Sequence, residues 1–147
     1  MKDLQQKVIL VTGATNGIGK AAAMNFASRG ASLTIVGRNR AKTEQVLAEL
    51  QTSSGNRNLE MIICDLSRNA EVRRAAEEFR SRHDRIDVLV NNAGAVFKSP
   101  VLGPDNIERT FALNYLAGFQ LTTSLMDVIC KTPDARVIST SSAMHAR

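Results

Sequence analysis

The chain has 147 residues, 44% hydrophobic and 22% charged, which suits one folded domain with a core and excludes a compositionally disordered chain. Its net charge of +5 comes from scattered basic residues, the longest run being Arg73-Arg74, so a nucleic-acid-binding tract is excluded and an anionic small molecule is the expected partner. Cys64 and Cys130 lie far apart without metal-ligand spacing and read as reduced core residues of an intracellular protein.

The amino-terminal stretch MKDLQQKVILVTG holds one short apolar run, too brief for a signal peptide or a membrane span, so the chain is expected to enter its first strand directly, in the cytoplasm. That strand is Val8 to Val11. A helix from about Gly17 to Ser28 follows, with Ala21, Met24 and Ala27 at helical spacing, and Gly30 stops it. The second strand, Leu33 to Val36, leads through Gly37-Arg38-Asn39-Arg40 into a helix carrying Val46, Leu47 and Leu50. Residues 52–56, Thr-Ser-Ser-Gly-Asn, read as the loop that closes it.

The third strand runs from about Leu59 to Cys64, and Asp65-Leu66-Ser67 turns it into a charged helix ending near Arg82. The fourth, Asp87 to Val90, opens into Asn91-Asn92-Ala93-Gly94 and an irregular stretch with Pro100 and Pro104. A long helical pattern from about Asn106 to Cys130 places Ile107, Phe111, Tyr115, Phe119, Thr122 and Met126 on one side. A fifth strand then runs from Arg136 to Ser141. Short apolar runs alternating with helical segments predict an α/β fold with a parallel sheet, in which ligands sit at the carboxyl ends of the strands.

Gly13, Gly17 and Gly19 stand between the first strand and the first helix. Such a loop brings backbone N–H groups and the positive end of the helix dipole against a pyrophosphate, because glycine has no Cβ to hold the ligand off. The alternative is a tight turn whose glycines only allow close packing. The spacing is G-x-x-x-G-x-G rather than G-x-G-x-x-G. No acidic residue stands between Gly19 and Glu44 to accept from a ribose 2′-hydroxyl; Arg38 stands there instead, with Arg40 close behind. A guanidinium suits a 2′-phosphate, so NADP(H) is expected rather than NAD(H).

Together, TGATNGIG at 12–19, DL at 65–66, NNAG at 91–94, NYLAG at 114–118 and VISTSS at 137–142 resemble the short-chain dehydrogenase/reductase family, in its retinol-dehydrogenase-like branch. The resemblance implies a Rossmann-type doubly wound parallel sheet and hydride transfer between NADP(H) and a small-molecule alcohol or carbonyl substrate. By that resemblance Gly13, Thr15, Asn16, Gly17, Ile18 and Gly19 hold the pyrophosphate. Asp65 and Leu66 border the adenine, and Asn91 with Ala93 lines the adenosine side. Asp65 also suits a helix N-cap. Asn114 matches the family's catalytic asparagine, which holds a water, and Ser142 matches its catalytic serine, which hydrogen-bonds the reacting oxygen.

The family's acid/base pair, Tyr-x-x-x-Lys after the serine, has no counterpart in the sequence, because the single tyrosine, Tyr115, adjoins Asn114. Loss of such a group alone lowers rates by roughly 10²- to 10⁴-fold. The expectation is therefore a single dinucleotide-binding domain over 1–147, truncated at its carboxyl end, with an incomplete sheet. Such a chain is an inactive oxidoreductase half or a non-catalytic dinucleotide-binding module. Its fifth strand and the apolar side of its long helix would be uncovered, inviting aggregation or partner capture. A homo-oligomer is left open, and His83 and His145 read as surface residues that imply no metal.

Overall fold

The computed structural model describes residues 4–142. Five parallel strands form one sheet in the order β3-β2-β1-β4-β5: β1 Val8–Thr12, β2 Ser32–Gly37, β3 Leu59–Ile63, β4 Val88–Asn91 and β5 Arg136–Ser139. The chain moves outward on one side of β1 and then returns to its other side, so the loops after β1 and β4 diverge and leave a crevice at the carboxyl edge. His145 falls outside the described residues.

Side-chain alternation along the strands divides the core between two layers. Ile9 and Val11 of β1 face Ala23, Ala27, Val46 and Leu50, on helices α1 Gly17–Ser28 and α2 Arg40–Ser54. Leu10, between them, faces the opposite side with Leu89, Val72, Phe79 and Leu121. That layer comprises α3 Asn69–Arg82 and the later helices α5 Ala117–Ser124 and α6 Met126–Lys131, while the short α4 Arg109–Phe111 ahead of them buries no residue. Both faces of β1 are thus dry, which explains its unbroken apolar run.

Several segments differ from the sequence reading. Helix α2 continues through residues 52–54 instead of ending in a loop there. The Ser54 hydroxyl donates to the Leu50 carbonyl 2.6 Å away, so it supports the last turn, and Gly55 ends the helix at φ 67°. β4 starts one step later than expected, with Asp87 buried ahead of it, and β5 ends at Ser139. The long helix is broken twice: Ala112–Leu116 form a wide π-turn, and Leu125 leaves helical geometry at ψ 4°. A 3.6-residue pattern cannot register such a one-residue insertion.

Two side-chain expectations are corrected. Cys130 is exposed, because it lies on the outer side of α6, whereas Cys64 is buried. His83 is half-buried, with its ring 4.7 Å from that of Phe79 and its Nε2 on Glu60. Phe111, Tyr115, Phe119 and Met126 do share an uncovered face, each between 42% and 61% exposed.

Asp87 ties the two central strands together where they begin. Its carboxylate accepts from the Val8 N–H at 2.9 Å, Lys7 Nζ at 2.8 Å and Arg85 at 2.7 Å and 3.0 Å. Burial pushes this carboxyl up, but those hydrogen bonds outweigh it and hold it below the ordinary 3.8. A depressed folded-state value means stability that is fully present above the ordinary aspartate range and is lost as pH falls toward the folded value. Asp87→Asn is expected to lower stability at pH 7 by about 1–3 kcal/mol and to flatten the acid limb of the stability curve, measured by urea denaturation between neutral and acid pH.

Candidate dinucleotide site

The crevice at the carboxyl edge contains a cavity of about 590 Å³. Gly13, Thr15, Asn16, Gly17, Ile18 and Gly19 from the first loop line it, together with Arg38, Asp65, Leu66 and Ala93. Asn91 does not: β4 alternation turns it to the other side of the sheet, where its Nδ2 donates to Thr122 Oγ1 at 3.0 Å. There it lines a second cavity of about 500 Å³ with Asn114, Ser139 and Thr140. The two cavities share Leu66, Ala93, Leu113 and Thr140 as a common wall.

The three loop glycines have different tasks. A Cβ on Gly13 would lie 2.7 Å from Ala93 Cα, and one on Gly19 would lie 2.3 Å from the Gly13 carbonyl oxygen. Both therefore permit close packing of the loop on the β4 segment. Gly17 meets nothing within 4 Å and has φ 51°, so it opens toward the cavity. It begins α1, whose N-cap Asn16 makes no side-chain capping bond and whose first turn holds no acid. The first N–H groups of a helix lack intrahelical acceptors, and here no side chain substitutes for an incoming anion.

One hydroxyl fixes the loop to its neighbour. Thr12 Oγ1 donates to the Val90 carbonyl at 3.2 Å and accepts from the N–H groups of Asn92 at 3.0 Å and Ala93 at 3.1 Å. Asn92 answers through its amide, donating to the carbonyls of Thr12 at 3.2 Å and Gly13 at 3.3 Å. The sequence reading did not single out Thr12 or Asn92 individually; both stand inside the quoted motifs.

Asp65 is no N-cap of α3, which begins after Arg68. Its Oδ1 instead accepts from the Ser67 N–H at 3.0 Å and hydroxyl at 2.7 Å. Burial pushes the Asp65 carboxyl up, but the Ser67 hydrogen bonds and the positive charges of Arg38 and Arg109 hold it low, so it is an ionised acceptor at neutral pH. Cys64 beside it is pushed up to about 12, chiefly by burial and then by Glu71, and stays a thiol. Arg109 and Phe97 also line this cavity; they lie after the fourth strand, where neither periodicity nor a motif marks them.

Asn114 sits within the π-turn. Its Oδ1 accepts from the Ala95 N–H at 2.9 Å and its Nδ2 donates to the Ala95 carbonyl at 2.9 Å, so both ends of the amide hold the loop after β4. Ser142 lies exposed beyond β5, outside the lining of both cavities. Among the described residues, no group of three or more His, Cys, Asp or Glu could hold a metal ion, and no helix is long and apolar enough to cross a membrane.

The family model for short chain dehydrogenase matches residues 7–146. The chain belongs to the short-chain dehydrogenase/reductase family. Human dehydrogenase/reductase SDR family member 12 is 40% identical over 136 residues, covering 92% of this chain and 43% of that protein. Human retinol dehydrogenase 11 is 34% identical over 142 residues, covering 97% of this chain and 45% of that protein. A short chain dehydrogenase from Burkholderia cenocepacia, solved in complex with NADP, superposes with a TM-score of 0.83 at 29% identity, covering 99% of this chain and 59% of that one. The chain thus spans less than half the length of these curated relatives.

The unequal glycines give a test of the loop. Gly19→Ala is expected to destabilise the fold by roughly 1–3 kcal/mol through overpacking, and Gly17→Ala by about 1 kcal/mol through backbone strain alone. Urea denaturation of the two variants side by side checks the order.

Proposed function

We propose that residues 1–147 form the NADP(H)-binding half of a short-chain oxidoreductase that moves a hydride between the cofactor and an alcohol or carbonyl carbon. The observation that carries this reading is the combination in one cavity of an uncapped helix N-terminus, a loop opened by Gly17, and Arg38 at the end of β2. The pyrophosphate would lie on the first turn of α1, where N–H groups and the helix dipole meet its charge. Arg38, exposed and paired with no carboxylate among the described residues, would take the ribose 2′-phosphate. Asp65 and Leu66 would border the adenine. Structural neighbours solved with NADP or NADPH bound, among them the Burkholderia cenocepacia protein, support the choice of dinucleotide.

The bound cofactor supplies the hydride; the chain positions it. In this reading Ala93 belongs to the wall against the cofactor, while Asn91, Asn114 and Ser139 face the second cavity, toward the substrate side. Asn114 and Ser142 are the two residues of the catalytic set that the chain contributes. A tyrosine and a lysine acting as acid/base pair would come from outside residues 1–147. Without them the chain binds dinucleotide and does not turn over, which is also the behaviour of a non-catalytic binding module.

Fluorescence titration with NADPH and NADH tests the assignment. NADPH is expected to bind more tightly, and Arg38→Asp to weaken NADPH by roughly 10- to 100-fold while changing NADH by less than about threefold. Equal effects on both cofactors would remove Arg38 from the 2′-phosphate, and no binding of either would overturn the reading.

A further inference from the structure

Among the described residues, Arg40, Arg68, Arg74, Arg80, Arg82 and Arg85 each form an ion pair with a carboxylate. Arg109 does not. It opens α4, is half-buried, and lines the cavity of the glycine loop, yet no carboxylate lies within 4.0 Å of it among the described residues. Its Cζ rests 4.7 Å from the centroid of the Phe97 ring. A guanidinium is planar, carries five N–H donors and stacks readily on π-systems. None of its side-chain N–H groups is engaged by an acceptor among the described residues, so they are open to a ligand in the cavity. The Phe97 contact accounts for one face of the group and leaves its donors unused.

The chemistry around it selects the ligand. Asp65 is an ionised acceptor whose charge is felt by both Arg38 and Arg109, so a phosphate lodged beside it would be repelled, while an exocyclic amino group could donate to it. Leu66 and Ala93 add apolar walls to the same cavity. A flat ring with an amino donor at its edge, ring-nitrogen acceptors and a polarisable face meets all of these groups, and adenine is such a ring.

We infer that Arg109, seated on Phe97, forms a stacking and hydrogen-bonding wall for the adenine ring of the dinucleotide, an inference that rests on the cofactor reading above. Arg38 and Arg109 then divide the adenosine end between them. Arg38 distinguishes NADPH from NADH, and Arg109 contributes equally to both.

The division is testable by titrating the 147-residue chain and its variants with NADPH and NADH. Arg109→Ala is expected to weaken both by a similar factor, roughly tenfold, leaving their ratio unchanged. Arg109→Lys keeps the positive charge and a long side chain at the position, so it guards against a folding defect. Lacking the planar fork, it should still bind both dinucleotides roughly threefold or more weakly. Wild-type affinity for NADH in Arg109→Lys, or a loss confined to NADPH in either variant, overturns the inference while leaving the cofactor reading in place. Failure of the wild-type chain to bind either dinucleotide overturns the reading and the inference together.

Discussion

The Thr12 hydroxyl is the junction on which the site depends. β1 and β4 run parallel as neighbours and then part, because the sheet builds outward in both directions from β1. Where they part, backbone groups lose their ladder partners, and buried polar groups without partners destabilise a fold. Thr12 answers this with one donor and two accepted bonds across the gap, and the Asn92 amide returns two more. The crevice is therefore rigid on its inner wall. Gly13 and Gly19 can pack against the β4 segment only because that wall fixes where the segment runs.

Charge is arranged on the same plan. At the amino ends of the strands, Asp87 gathers Lys7, Arg85 and the Val8 N–H, so positive charge is neutralised where no ligand is wanted. On α3, Arg74 pairs with Glu78, and Arg82 with both Glu60 and Glu78. Lys20, one turn into α1, is held by Glu49. Arg38 and Arg109 share one cavity with Asp65 and form no ion pair among the described residues.

The strand and helix order was legible because the central runs β1 and β2 are buried on both faces and helices α1 and α2 run into glycines, whereas β5 is exposed along its length and was legible only as a short β-rich run. Gly30 at φ 81° and Gly55 at φ 67° end α1 and α2, one as read from the sequence and the other later than read, since Ser54 could bond backward to Leu50. The glycine loop, Arg38, Asp65 and Leu66 were legible as lining because they lie immediately after strand ends, where a parallel sheet must place its loops. Asn91 shows the limit of that rule: its motif neighbour Ala93 reaches the cavity, but strand alternation sends Asn91 to the opposite face. Arg109 and Phe97 lay beyond any such rule, because an irregular segment joins them and only the folded chain brings them to the cavity.

The break in the long helix follows from the same need to hold the loop after β4. That segment, past Asn92, has no ladder of its own, and Asn114 supplies one by engaging both the N–H and the carbonyl of Ala95. Within an unbroken α-helix the residues on either side of Asn114 would keep the 3.6-residue register of the apolar stripe. The π-turn at Ala112–Leu116 inserts a residue there, so Ala112 and Ala117 are both buried while Asn114 and Tyr115 turn outward. Asn114 can then reach Ala95 without removing Leu121, Leu125 and Val128 from the core. The irregularity is the geometric consequence of asking one helix to pack a core and pin a ligand loop.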